Sequence, residues 1–132
     1  MKKAIFILLL ALTFQGSAQI KEGHYISTVS SYVDFDSDGI PFNEKAYIDT
    51  TYIQVSSHGF RLMYKLGDYG SFYPWSFVKR NKEGQHLYTV YLQDACKINL
   101  EKGYFIFYYN FNKETGFYDK ATNYRKLKYL YE

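Results

Sequence analysis

From Phe60 to Leu66 the chain alternates: Phe60, Leu62, Tyr64 and Leu66 are separated by Arg61, Met63 and Lys65. A period of two sends successive side chains to opposite faces, which is the habit of a strand and not of a helix. Cys96, Ile98 and Leu100 alternate with Lys97 and Asn99 in the same way, and Tyr88, Val90 and Leu92 do so less cleanly. Each run sets one side on a core and the other toward water.

Turn chemistry punctuates these runs at short intervals. Asp36-Ser37-Asp38-Gly39, Ser57-His58-Gly59, Gly67-Asp68-Tyr69-Gly70, Asn81-Lys82-Glu83-Gly84, Glu101-Lys102-Gly103 and Asn112-Lys113-Glu114-Thr115-Gly116 all end in glycine. Glycine tolerates the positive φ that tight hairpins need. The pattern predicts strands over 23–35, 40–56 (broken near Pro41 to Glu44), 59–66, 72–80, 85–93, 95–100, 103–111 and 122–131, with 117–121 a loop or one helical turn. Connections this short join antiparallel neighbours, because a parallel pair needs a long crossover. The expected fold is therefore all-β, a single antiparallel meander of about eight strands. Closure into a small up-and-down barrel, or a strongly curled sheet, removes the two exposed edges of a flat sheet; a two-sheet β-sandwich is the alternative.

Composition agrees with the periodicity. Of the chain's aromatic residues, all sixteen tyrosines, nine phenylalanines and Trp75 lie beyond residue 18. Such side chains suit a pleated, half-buried surface. The segment before them differs. MKKAIFILLLALTFQGSA has Lys2 and Lys3, an apolar run from Ala4 to Phe14, then Gly16 and Ala18 before a cut. That is the form of a secretory signal peptide over 1–18, bacterial in style, and its apolar run is too short for a membrane span. The expectation is a single all-β domain over 19–132, exported to the periplasm or the medium, with no transmembrane segment. No lipoprotein anchor is expected, since the only cysteine, Cys96, is far from the expected cut.

Removing Lys2 and Lys3 takes the net charge from +3 to +1. A near-neutral domain lacks the basic field that draws proteins to nucleic acid, so no nucleic-acid partner is expected. One cysteine forms no internal disulfide. In phase with Ile98 and Leu100, Cys96 reads as a small buried apolar group, with a reactive thiol as the second reading.

Candidate chemistry is sparse. Asp34-Phe35-Asp36-Ser37-Asp38-Gly39 fills the first half of an EF-hand-type calcium loop, but the twelfth position, where a bidentate glutamate belongs, is Lys45. A hairpin turn is the stronger reading. A weak calcium site at Asp34, Asp36 and Asp38, with no other cofactor, is the second. His24, His58 and His86 lie at no metal-ligand spacing, and GxSxG, GxGxxG and P-loop motifs are absent. Asp49, Asp68, Asp94 and Glu101 are scattered carboxylates. An enzyme is not expected.

Two aromatic stretches stand out. In Tyr69–Phe77, Pro74 marks an edge, a bulge or a strand end. Tyr73, Trp75 and Phe77 then share a face that either caps the core or meets a ligand. In Tyr104–Phe111, Tyr104, Ile106 and Tyr108 point one way and Phe105, Phe107, Tyr109 and Phe111 the other. One face is core, and the other is covered or exposed for binding.

The eight-strand pattern resembles lipocalin-type barrels. The Gly-x-Trp signature of their first strand is absent, where this chain reads Gly-His-Tyr-Ile-Ser-Thr-Val, so no site residue follows from the likeness. The expected function is a non-enzymatic binding protein for a small apolar or sugar-like ligand, held at Tyr73, Trp75 and Phe77. The alternative is an envelope protein-interaction module, possibly calcium-stabilised, that binds a partner chain through the outer face of 104–111.

Overall fold

The computed structural model describes residues 19–132 apart from Leu66, Asp68 and Leu92; the expected signal peptide lies outside the described residues. The described chain forms nine strands: β1 (Gly23–Phe35), β2 (Pro41–Val55), β3 (Gly59–Met63), β4 (Ser71–Arg80), β5 (His86–Val90), β6 (Asp94–Asn99), β7 (Tyr104–Asn112), β8 (Phe117–Arg125) and β9 (Lys128–Tyr131). Each pairs antiparallel with the next through β8. β1 then pairs with β2 on one side and with β8 and β9 on the other, so the sheet curls into a ring.

The last stave of that ring is shared. β8 lies along Val29–Asp34 and β9 along His24–Ile26. Between them Lys126 adopts φ 52°, a left-handed kink, and the Leu127 N–H turns to the Gly103 carbonyl at 2.9 Å. The sequence predicts one strand over 122–131; the kink divides it, and strand structure begins earlier, at Phe117. β2 runs unbroken through Pro41–Glu44. Pro41 needs no donor there, because β3 pairs only with Tyr52–Val55 and leaves the earlier part of β2 without a neighbour on that side.

The turns repeat one device. Asp36 Oδ1 accepts the Asp38 and Ile40 N–H groups, and Asn81 Oδ1 accepts those of Glu83 and Gln85. A short polar side chain thus substitutes for the missing ladder partners at the bend. Gly39 (φ 76°) and Gly84 (φ 80°) then take the left-handed step back into the next strand.

Opposed residues in an antiparallel pair share a face, so the interior row can be followed around the sheet. Tyr124 faces Phe105, Phe105 faces Ile98 and Ile98 faces His86. Phe105 and Phe107 point inward, and the outer face of β7 is half-buried: Phe35 and Tyr118 pack on Tyr108. Phe60 is fully buried and meets the rings of Tyr73, Trp75, Phe105 and Phe107 at 5.0–5.5 Å. Trp75 stacks on Tyr88 at 3.8 Å, and its indole N–H donates to the Ser56 carbonyl. Cys96 is buried in this core, where burial first and Asp94 second push its thiol well above the usual range. Toward the end of the turns at 56–58 and 81–85, Ile20 and Leu127 join the core, and the Ile20 N–H donates to the Tyr88 hydroxyl. The filled interior lies at that end.

Candidate functional site

At the opposite end the wall is incomplete. β3 stops at Met63 while β2 continues upward along β1. Into this gap opens a cavity of about 360 Å³. β2 contributes Asp49 and Thr51, and β3 contributes Leu62 and Met63. Tyr32 of β1 and Tyr124 of β8 close the far wall, and Ser71 and Tyr73 of β4 the near one. The segment between β3 and β4 adds Tyr64 and Tyr69, both strongly exposed. Arg61 fastens that rim: its Nη1 donates to the Gly70 carbonyl at 2.7 Å, and its guanidinium lies 5.4 Å from the Tyr69 and Phe72 ring centres. Gly70 itself admits no side chain, because a Cβ there would collide with the Leu62 carbonyl.

The electrostatics follow from burial. Tyr124 is pushed far up from an ordinary phenol by burial, and the hydroxyls of Tyr32, Tyr73, Tyr109 and Tyr64 add to the effect. Tyr32 is raised by burial and next by the Asp49 carboxylate. These phenols stay neutral and keep their protons for donation. Among the described residues the Asp49 carboxylate takes no hydrogen bond or ion pair. One step deeper on the inward face of β1, opposite Tyr124, Ser30 is wholly buried and its hydroxyl has no hydrogen-bond partner among the described residues.

A second groove of about 370 Å³ adjoins the first across Tyr32. Asp34, Lys45, Tyr109 and Lys120 line it. Lys120 sits 3.2 Å from Asp34 Oδ1 and the Asn43 amide donates to Oδ2 at 2.9 Å. The Asn43 hydrogen bond first, then Lys120, hold the Asp34 carboxyl below its usual range.

The residues singled out from sequence fall in different places. Tyr73, Trp75 and Phe77 do share the inward face of β4. Tyr73 lines the cavity, Trp75 is core, and Phe77 lies deeper, against Tyr88 and His86. Asp34 belongs to the second groove, and Asp36 spends Oδ1 on two turn amides. Among the described residues no group of three His, Cys, Asp or Glu stands close enough to hold one metal ion. Asp36→Ala is expected to lower stability by about 1 kcal/mol in calcium-free buffer, read from urea unfolding, because two turn amides lose their acceptor. A wild-type midpoint that rises with millimolar calcium would instead mark a cation-binding use of these aspartates.

Sequence reasoning did not single out Tyr32, Thr51 or Tyr124, and passed over Asp49 as scattered. They come from three strands, β1 and β2 meeting across a hairpin whose register slips between them and β8 joining only when the ring closes, so no local spacing marks them. No family model matches the chain, and no curated protein or solved structure matches it.

Proposed function

We propose that the protein is an exported, non-enzymatic binding protein of the cell envelope that takes a small apolar or sugar-like ligand into the open end of its barrel. The observation that carries this reading is the tyrosine-lined cavity beside an otherwise filled interior. Its volume is in the range of small-molecule sites. Neutral phenols offer flat apolar faces for stacking and hydroxyls for orientation. Of the residues expected from sequence, Tyr73 is the one at this cavity, stacked on Phe60 at 5.0 Å and so held in place.

Native mass spectrometry of the protein purified from its own host tests the proposal. The expected result is a retained small molecule that is lost in Ser71→Trp, where an indole on the exposed rim fills the entrance. A bare chain from the host would sink the reading, as would a ligand retained by the variant.

A second reading is an interaction module, favoured by the open edge of β2 beyond the reach of β3. Ile48 is 97% exposed and Phe42 67% there, along the part of β2 that β3 leaves unpaired. A partner retained from the host and lost in Ile48→Ser would support it.

A further inference from the structure

Among the described residues that line the cavity one is charged, Asp49, and it is negative; the Arg61 guanidinium at the rim is committed to the Gly70 carbonyl and the Tyr69 and Phe72 rings. Asp49 lies on its wall beside Tyr32, with Tyr64, Tyr73 and Tyr124 around the same space. A carboxylate without a partner in such a place is incomplete. The lysines of the adjoining groove do not complete it: Lys45 and Lys120 line that groove with Asp34, and Lys120 is 3.2 Å from the Asp34 carboxylate. Phenol rings present negative π faces, and several of them around one carboxylate favour a cation over a neutral or anionic group. Ammonium groups with methyl or alkyl substituents gain most, because they shed water cheaply and meet several ring faces at once. Opposite this polar side, Leu62 and Met63 supply an apolar surface.

We infer that the cavity selects ligands with a cationic head and an apolar body, an alkyl- or arylalkylammonium, its nitrogen seated between Asp49 and the rings of Tyr32, Tyr64 and Tyr73, and its carbon chain against Leu62 and Met63. The inference rests on the binding function proposed above and narrows its ligand class. Asp49 acts by direct ion pairing. The tyrosines contribute their faces, and as phenols they are uncharged at neutral pH, so that they do not compete as anions.

Isothermal titration of the protein with 4-phenylbutylamine and with 4-phenylbutan-1-ol provides the test. The pair shares one carbon skeleton and differs in the charge of its head. The amine is expected to bind at least tenfold more tightly than the alcohol. Asp49→Asn, a partly exposed position outside the core, should weaken amine binding to about the level of the alcohol and so remove that preference. Circular dichroism checks that the variant keeps its fold, and Asp49→Glu should restore most of the preference. Equal affinities for amine and alcohol would overturn the cationic assignment and leave the binding function standing. A preference that survives in Asp49→Asn would overturn the role of Asp49. Failure of both probes at millimolar concentration, together with a bare chain from the host, would remove the binding function and this inference with it.

Discussion

Raised from pH 9, the folded protein is expected to hold until about pH 10 and then to unfold steeply before about pH 12, the span between an ordinary phenol and the buried ones. Tyr25 and Tyr88 are both pushed up to about 12, mainly by burial. Tyr124 is raised further, and Tyr32, Tyr108 and Tyr118 are raised as well, burial being the first cause in each. A phenol released by unfolding loses its proton near pH 10, whereas the buried one keeps it. Above pH 10 the unfolded chain therefore binds fewer protons than the folded one, so stability falls as pH rises, and below pH 10 the contribution is fully present. A shift of two units corresponds to about 2 to 3 kcal/mol, so Tyr25 and Tyr88 together approach the whole stability of an ordinary domain. The Tyr88 hydroxyl also accepts the Ile20 N–H, which offsets part of its shift. Far-ultraviolet circular dichroism against pH reads the transition, and absorbance at the phenolate band should rise in step with it. Tyr25→Phe should move the midpoint upward, despite losing a hydrogen bond to the Lys21 carbonyl. A gradual phenolate titration completed near pH 10, with the sheet intact, would contradict the buried placement of these rings.

The alternation along the chain carried most of the fold, and the reasons for its failures are local. β1 matches its expected span because it begins at Gly23, whose φ of 142° suits glycine, and ends at the strong turn Asp36–Gly39. β2 was expected to break near Pro41 to Glu44; it stays strand there but is irregular within that span, since Asp34 faces Asn43 and Phe35 faces Pro41 with Phe42 the extra residue, and the register slips once more where Ser27 and Val29 face Thr51 and Ile48. A bulge is a property of a pair, and one strand's sequence does not carry it. Phe117–Ala121 has no clear apolar alternation, since it extends past the filled part of the ring. It is strand because β7 pairs with it from Phe117 to Arg125. The site is less legible still. The shared face of Tyr73, Trp75 and Phe77 was readable from period two. Which of the three meets a cavity depends on how far β3 reaches, and the shortness of β3 is a tertiary fact. Asp49 gains its meaning from Tyr32, across the β1–β2 hairpin, and from Tyr124, which closure of β8 on β1 brings to it.

Phe60→Ala is expected to cost about 3 to 5 kcal/mol, the range for deleting a buried ring that its neighbours cannot collapse upon. Phe60 is 0% exposed and stands where the two halves of the interior meet. Tyr73 stacks on one side of it at 5.0 Å, Phe105 and Phe107 stand edge-on at 5.0 and 5.5 Å, and Trp75 tilts against it at 5.2 Å. These four rings are themselves mutually packed, Tyr73 on Phe107 and Trp75 on Phe105, so none can swing into the void without leaving another contact. The neighbouring backbone is equally committed. A Cβ at Gly59 would strike the Tyr73 carbonyl and the Pro74 backbone, so β3 has no room to shift toward β4. Transfer and cavity costs therefore add. Phe60→Leu, which keeps most of the volume, should lose about half as much or less. Urea unfolding followed by the fluorescence of Trp75, the sole tryptophan, reads both variants through a ring in direct contact with the site. Because Tyr73 loses its stacking partner, the same substitution should also loosen the cavity wall. Phe60→Ala should therefore weaken small-ligand binding under conditions where the protein is still folded, an effect that a core position remote from the cavity, such as Ile98→Val, should not share. If Phe60→Ala costs no more than Phe60→Leu, then the ring cluster does not hold the two ends of the interior together, and the cavity wall must owe its order to the Arg61 tie across the rim.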